Sequence, residues 1–74
     1  MTRLPACTPA QVCRALERAG FLLDHTRGSH RYYRHTDRPG LVTVPYHSRD
    51  LKRKTLLSIL KQAGLSREEF VAFL

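Results

Sequence analysis

The stretch FLLDHTRGSHRYYRH, residues 21–35, decides the fold because it predicts two β-strands joined by a tight turn. FLLDHTR (21–27) and HRYYRH (30–35) are strand-like runs, and the second is rich in aromatic strand formers. Gly28 suits the turn between them, since it adopts backbone angles that a side chain forbids. His30 then begins the second strand, at the sheet edge and close to the turn.

Side chains alternate between the two faces of a sheet, so the strands can be divided by face. In the second strand His30 and Tyr32 share one face and Tyr33 lies on the other. In the first strand Phe21 and Leu23 fall on the same side. Each face of the second strand carries one tyrosine, so the pattern alone leaves open which face is buried. If His30 is functional, its face is open and Tyr33 packs inward.

A third strand is predicted for LVTVP (41–45), with Val42 and Val44 inward and Pro45 ending the hydrogen-bonded ladder. Residues 37–40, Asp-Arg-Pro-Gly, have the composition of a loop. Three consecutive strands with short connections form an antiparallel meander.

Helices are predicted on both sides of this meander. Thr8-Pro9-Ala10-Gln11 forms a capping box and starts a helix over 9–19, which Gly20 stops. An amphipathic helix covers 55–63, and the capping box 66–69 opens a short terminal helix. Packing the main helices on one face gives a two-layer α+β domain over residues 1–74. Its order is α-β-β-β-α plus a short C-terminal helix, with a three-stranded antiparallel sheet.

Composition and charge indicate the class of partner. The 74 residues carry 13 Lys and Arg against 6 Asp and Glu, for a net charge of +7. Such a surface attracts polyanions, and nucleic acid is the favoured partner. So short a chain has no room for a large enclosed pocket, so we expect any chemistry on an open face.

The two cysteines, Cys7 and Cys13, have no Cys/His pair at zinc-like spacing beside them. Neither a metal site, a cofactor nor a disulfide scaffold is therefore indicated, and reduced thiols in a cytoplasmic protein are expected. The N-terminal segment lacks the apolar core of a signal peptide, and no run approaches the length of a membrane span.

His30 is the candidate for chemistry because an imidazole titrates near neutrality and exchanges protons at working pH. A proton-transfer group in a field of fixed positive charge suggests a phosphate-containing substrate. The alternative is an ordinary turn followed by a half-buried histidine. The cations near His30 in the sequence are Arg27, Arg31, Arg34 and Arg38.

Further site candidates each have a structural alternative. Ser29 either orients His30, donates to a phosphate, or, as we favour, serves only the turn. His47 is either a second acid/base group or a residue that caps the following connector. Tyr32 either stacks on a base or packs in the core. His25 and His35 carry no motif and are interpreted as surface residues. A basic cluster follows, which consists of Arg49, Lys52, Arg53 and Lys54. We interpret it as a surface that contacts phosphates, and the alternative is a solvated charged connector.

Four pieces of the chain at these spacings resemble the HicA family of bacterial toxins, also described as YcfA-like mRNA interferases. They are LERAGF (16–21), GSH (28–30), VTVPYH (42–47) and TLLSILKQAGL (55–65). The resemblance implies a double-stranded-RNA-binding-domain-like fold and a small ribonuclease without a metal. It also implies that His30 is catalytic and that a HicB-type antitoxin holds the toxin inactive. One departure is Lys54, where such families usually have glycine.

The resulting hypothesis is a toxin of a type II toxin–antitoxin system that cleaves mRNA as an endoribonuclease. His30 acts as general acid or base, and positive side chains hold the RNA backbone and stabilise developing charge. Arg27, Arg31 and Arg34 join the basic cluster in this RNA-binding role. The alternative is a non-catalytic RNA-binding module on the same fold, which needs the charge but not His30.

Overall fold

A computed structural model describes residues 2–74, and a three-stranded antiparallel sheet in the order β1-β2-β3 is its framework. The elements in chain order are α1 (Pro9–Arg18), β1 (Leu22–Arg27), β2 (His30–His35), β3 (Arg38–Pro45), α2 (Arg53–Ala63) and α3 (Arg67–Phe73). The predicted α+β class, element order and antiparallel meander are confirmed. No helix in the described part of the chain is long and apolar enough to cross a membrane.

The first helix begins at the predicted capping box. The Thr8 side chain accepts a hydrogen bond from the Gln11 amide at 3.3 Å, and the Gln11 side chain accepts one from the Thr8 amide at 2.9 Å. The helix ends at Arg18, one residue before the predicted end, and Gly20 follows with a φ of 97°. Its buried side chains are Pro9, Val12, Cys13, Ala15 and Leu16.

Phe21 lies in the short connection between α1 and β1, so the predicted strand start at residue 21 is wrong by one residue. The Phe21 amide donates to the Leu16 carbonyl at 2.9 Å, and the Gly20 amide donates to the Glu17 carbonyl at 3.0 Å. These two hydrogen bonds close the last turn at the end of α1. Because the Phe21 amide is engaged in this way, it is not available for pairing in the sheet. The Phe21 ring is buried in the core.

The hairpin between β1 and β2 has the predicted two-residue turn. Arg27 pairs with His30, and Gly28 between them has a φ of 58°, in the left-handed region that glycine tolerates best. The β2 strand has the predicted bounds of 30–35.

An irregularity interrupts the pairing of β1. Leu23 pairs with Tyr33 and His25 pairs with Tyr32, so Asp24 has no residue directly opposite it. This is a β-bulge, and it shifts the face on which every later residue of β1 lies. Strict alternation from Phe21 therefore does not hold along this strand.

The third strand begins at Arg38, so the predicted loop over residues 37–40 is wrong for 38–40. Only the two residues between His35 and Arg38 form the turn. Pro39 is tolerated because β3 is an edge strand, where a missing N–H leaves no ladder partner unpaired. The β3 backbone advances four residues from Arg38 to Val42 while β2 advances two, and Gly40 has a φ of 85° within this irregular stretch.

The helices cover one face of the sheet, and Tyr33 is the largest side chain that this face buries. The Tyr33 ring is fully buried together with Val42 and Val44, as predicted for an inward Tyr33. Its hydroxyl donates to the Glu17 carboxylate at 3.2 Å, which satisfies the polar end of the ring. Burial raises the pKa of this hydroxyl, and its hydrogen bond with Cys13 raises it further.

The second helix begins at Arg53, two residues before the predicted start. The Leu56 amide donates to the Lys52 carbonyl at 2.9 Å, so helical bonding begins at the N-cap residue Lys52 without a side-chain cap. Lysine and arginine have good helix propensity, which lets this basic segment extend the helix. The predicted stripe of Leu56, Ile59, Leu60 and Ala63 is buried, and Gly64 ends the helix with a φ of 69°.

The short terminal helix has the predicted capping box. The Ser66 side chain accepts from the Glu69 amide at 3.1 Å, and the Glu69 carboxylate accepts from the Ser66 amide at 2.8 Å. These bonds lower the pKa of Glu69, the largest cause being the bond from the Ser66 backbone. The helix is thereby held where the fully buried Phe70 enters the core.

Protonation of Glu69 is expected to weaken the fold at acid pH. Because its pKa is lower in the folded protein than its ordinary value of 4.5, its contribution is present above pH 4.5. The contribution is lost as the pH falls through the lowered folded value. Urea unfolding of the wild type and of Glu69→Gln should therefore differ in pH dependence below pH 4.5. If the unfolding free energies of the two proteins changed equally with pH in this range, this role of Glu69 would be contradicted.

Candidate functional site

His30 lies exposed on the sheet face opposite Tyr33, at the mouth of an open groove between β3 and α2. The groove has a volume of about 340 Å³. No hydrogen bond to the His30 ring is formed within residues 2–74. The ring is therefore available to a ligand. The groove is lined by His30, Thr43, Pro45, Lys54, Thr55, Ser58, Ile59 and Gln62.

The backbone around His30 is fixed from two sides. Arg27 pairs with His30 across the hairpin, and Pro45 pairs with it from β3. The Ser29 carbonyl accepts a hydrogen bond from the Tyr46 amide at 2.6 Å, which ties the turn to the end of β3. Ser29 thus acts here through its backbone, and its exposed side chain lies next to His30 in the chain.

Gln62 fixes the distance between α2 and the sheet. Its side-chain oxygen accepts from the Thr43 amide at 2.9 Å, on the outer edge of β3. Its side-chain nitrogen donates to the Ser58 hydroxyl at 3.3 Å, one helical turn earlier. An otherwise unpaired edge amide is satisfied in this way. The contact also holds the wall of α2 that carries Lys54 beside His30.

The arginines near His30 in the sequence are distributed over different surfaces. Arg27 lies directly across the hairpin from His30. Arg31 lies on the helix-covered face, half-buried, with its guanidinium 3.7 Å from the centroid of the Tyr46 ring. Arg34 is exposed and pairs with Asp24 at 3.5 Å. Arg38 is at the far end of β3, where its guanidinium donates to the Ala63 carbonyl.

A second open cavity adjoins the first, since Pro45 and Thr55 line both. It brings together His47, Arg49 and Lys52, with Asp50 and Leu51 in its wall. The Nδ1 atom of His47 accepts from the Arg49 amide at 3.1 Å, so neutral His47 carries its proton on Nε2. Arg53 points to another side of α2, into a cavity with Leu4, Pro5, Ala6, Leu51 and Leu56.

Tyr32 is half-buried on the open face and stacks on His25. The two ring centroids are 4.4 Å apart and the ring planes differ by 7°. The Nδ1 atom of His25 is in turn hydrogen-bonded to the Asp24 carboxylate at 2.6 Å. Neither this cluster nor the role of Gln62 is predicted from the sequence, because a bulge in β1 and the packing of α2 against β3 have no sequence signal.

The remaining histidine and the cysteines have structural surroundings. His35 is half-buried, with its ring edge-on to Phe21 at 4.9 Å, so its interpretation as a surface residue is wrong. Cys7 and Cys13 are buried free thiols, and burial raises the pKa of both. Within the described residues no three His, Cys, Asp or Glu side chains gather closely enough to hold a metal ion.

Comparison with known proteins gives one result. A family model described as HicA toxin of bacterial toxin-antitoxin matches residues 9–65. The match begins with α1 and extends past the end of α2, so it includes the whole sheet and both walls of the groove. No curated protein matches the chain significantly.

Removing the Gln62 side chain should expose the edge of β3. We expect Gln62→Ala to speed hydrogen exchange of the Thr43 amide and to cost about 0.5–1.5 kcal/mol of unfolding free energy, the usual value for one hydrogen bond. Lys61→Ala is the control, since Lys61 is exposed on the same turn of α2. Unchanged protection of the Thr43 amide in Gln62→Ala would show that the contact does not hold the edge.

Proposed function

The chain belongs to the HicA family of toxins from bacterial toxin–antitoxin systems, and on that premise we propose that it is an endoribonuclease that cleaves mRNA without a metal. Membership in this family implies an antitoxin partner. We further propose that this partner is a HicB-type protein and that the toxin acts in the cytoplasm, where mRNA is translated.

The observation that carries the proposal is the exposed imidazole of His30 beside a cationic groove. His30 lies at the mouth of the groove, and Lys54 lies on its α2 wall. Arg27 adds a second cation directly across the hairpin. An imidazole that is open to solvent and flanked by fixed positive charge is suited to proton transfer at a phosphodiester.

The reaction needs a proton acceptor, a proton donor and charge stabilisation. The ribose 2′-hydroxyl loses its proton to a base, its oxygen attacks phosphorus, and the bond from phosphorus to the 5′-oxygen breaks. The departing 5′-oxygen takes up a proton from an acid, so the proton removed is balanced by the proton supplied. His30 performs one of these transfers, and Lys54 stabilises the negative charge that develops on the phosphate.

RNA binding is assigned to the two connected cavities. Lys54 in the first cavity and Arg49 and Lys52 in the second form a continuous path for successive phosphates. Tyr32 supplies an aromatic surface for a base on the open sheet face. RNA that extends beyond this path is bound by the remaining predicted contact residues, which are Arg31, Arg34 and Arg53. Phosphate contacts do not distinguish sequences, so low sequence specificity is expected.

Ser29 and His47 have secondary roles in this proposal. Ser29 is next to His30. Its hydroxyl either donates a hydrogen bond to a phosphate oxygen or has no role beyond that of a turn residue. His47 lies in the second cavity with Nε2–H free to donate, which suits a contact to a neighbouring phosphate better than the attack site itself.

Replacement of His30 tests the enzymatic assignment. RNA incubated with the purified protein in the presence of a chelator should be fragmented, and His30→Ala should lower the rate by about 10²-fold or more. Circular dichroism should show an unchanged fold because the side chain is exposed. Thr36→Ala, in the exposed turn after β2, is the matched control. RNA that is bound but left intact by the wild type would favour the non-catalytic RNA-binding module.

Substitution of Lys54 tests the proposed path for the RNA phosphates. In a His30→Ala background, which prevents cleavage during the measurement, Lys54→Gln should weaken binding of labelled single-stranded RNA. It should also reduce the slope of log K against log salt by about 0.7, the value for one lost contact. Lys61→Gln changes the net charge equally but lies outside both cavities, so its slope should stay near the wild-type value. Equal slopes for the two variants would place the contact elsewhere.

A further inference from the structure

The open face of the sheet carries a second imidazole besides His30. Because Asp24 is the unopposed residue of the β1 bulge, His25 pairs with Tyr32, and Arg27 pairs with His30. Tyr32 and His30 share the open face by alternation, so His25 lies on that face as well. Without the bulge, His25 would pair with Arg31 and lie on the opposite face of the sheet from His30. The bulge therefore places both histidines on the same surface.

His25 is held in one orientation by two neighbours, one of which is itself paired with an arginine. Its Nδ1 atom is 2.6 Å from the Asp24 carboxylate, and that carboxylate is 3.5 Å from the guanidinium of Arg34. Its ring lies parallel to the Tyr32 ring at a centroid distance of 4.4 Å. With Nδ1 engaged by the carboxylate, Nε2 is the atom left for a substrate.

The spacing of the two imidazoles suits one phosphodiester. His25 and His30 are diagonal neighbours across β1 and β2, a relation that separates side-chain origins by about 7–8 Å. Two imidazole rings that project from positions at that spacing are able to reach opposite sides of one phosphate group. The charged groups beside His25 on these strands are Asp24, Arg27, Arg34 and His30, and within the described residues β1 pairs with β2 alone.

We propose that His25 is the second proton-transfer residue of the RNA cleavage reaction, with Asp24 as its positioning residue. The inference rests on the proposed ribonuclease function. One imidazole accepts the 2′-hydroxyl proton as the bond between that oxygen and phosphorus forms. The other gives a proton to the 5′-oxygen as its bond to phosphorus breaks. When the cyclic phosphate and the free 5′-hydroxyl have formed, the two histidines have exchanged protonation states. Proton exchange with solvent then returns each histidine to its starting state.

Two variants separate proton transfer from a merely structural role of His25. His25→Phe keeps an aromatic ring to stack on Tyr32 but removes both ring nitrogens, whereas His25→Ala removes the stack as well. We expect both to lower the cleavage rate by about 10²-fold or more. The bell-shaped dependence of the wild-type rate on pH should lose one limb in both. Asp24→Asn should keep both limbs with a smaller loss of rate, because the imidazole remains but is less firmly oriented.

Wild type and His30→Ala are measured alongside, in chelator, with folding checked by thermal melting. If the wild type does not cleave RNA, the proposed function fails. If the wild type cleaves and His30→Ala does not, the function stands and the His25 variants decide the inference alone. In that case wild-type cleavage by His25→Phe, or a bell-shaped profile that keeps both limbs in this variant, would overturn the role of His25.

Discussion

The burial of Tyr33 is the constraint on which the arrangement of this protein depends. The ring is fully buried, and its hydroxyl has a partner in Glu17 of α1. A buried tyrosine without that partner would be costly, so strand and helix are fixed relative to each other. Since successive residues of a strand alternate between faces, an inward Tyr33 requires an outward His30. A slip of one residue would bury the imidazole and expose the tyrosine.

The other walls of the site follow from that register. With β2 fixed, β3 pairs so that Val42 and Val44 also point inward and Thr43 and Pro45 line the open side. The helix α2 then packs beside the outer edge of β3, and Gln62 bonds to the Thr43 amide. The basic first turn of α2 is thereby placed next to the hairpin. Core packing and the site are consequences of the same register.

Much of this could be predicted from the sequence because the signals are local. The two capping boxes, the two-residue turn at Gly28 and the glycine after each main helix are short patterns with a direct backbone cause, and each is found in the structure. The four motifs together, at their spacings from LERAGF (16–21) to TLLSILKQAGL (55–65), indicated the family whose model matches residues 9–65. The pattern of β2 alone leaves open which face is buried, and an open His30 face with an inward Tyr33 is expected only if His30 is functional. The structure has that arrangement.

What the sequence did not reveal depends on contacts between distant residues. The bulge at Asp24 has no distinguishing composition, and only the pairing register of β1 with β2 reveals it. Pro39 and Gly40 indicate a loop by composition, yet an edge strand accommodates both. The partner of Gln62 lies 19 residues away in the chain, and only the packed helix brings them together. The cluster at His25 was missed for the same reason.

The groove beside His30 is a shallow channel on the outside of a very small protein, and this has a consequence for control. Nothing in the described chain must move for a strand of RNA to reach the imidazole. The ribonuclease activity proposed for this groove would therefore not depend on a conformational change of the free protein. Inhibition by the antitoxin that family membership implies would then follow most simply from covering the channel, and its extent would depend on the ratio of antitoxin to toxin.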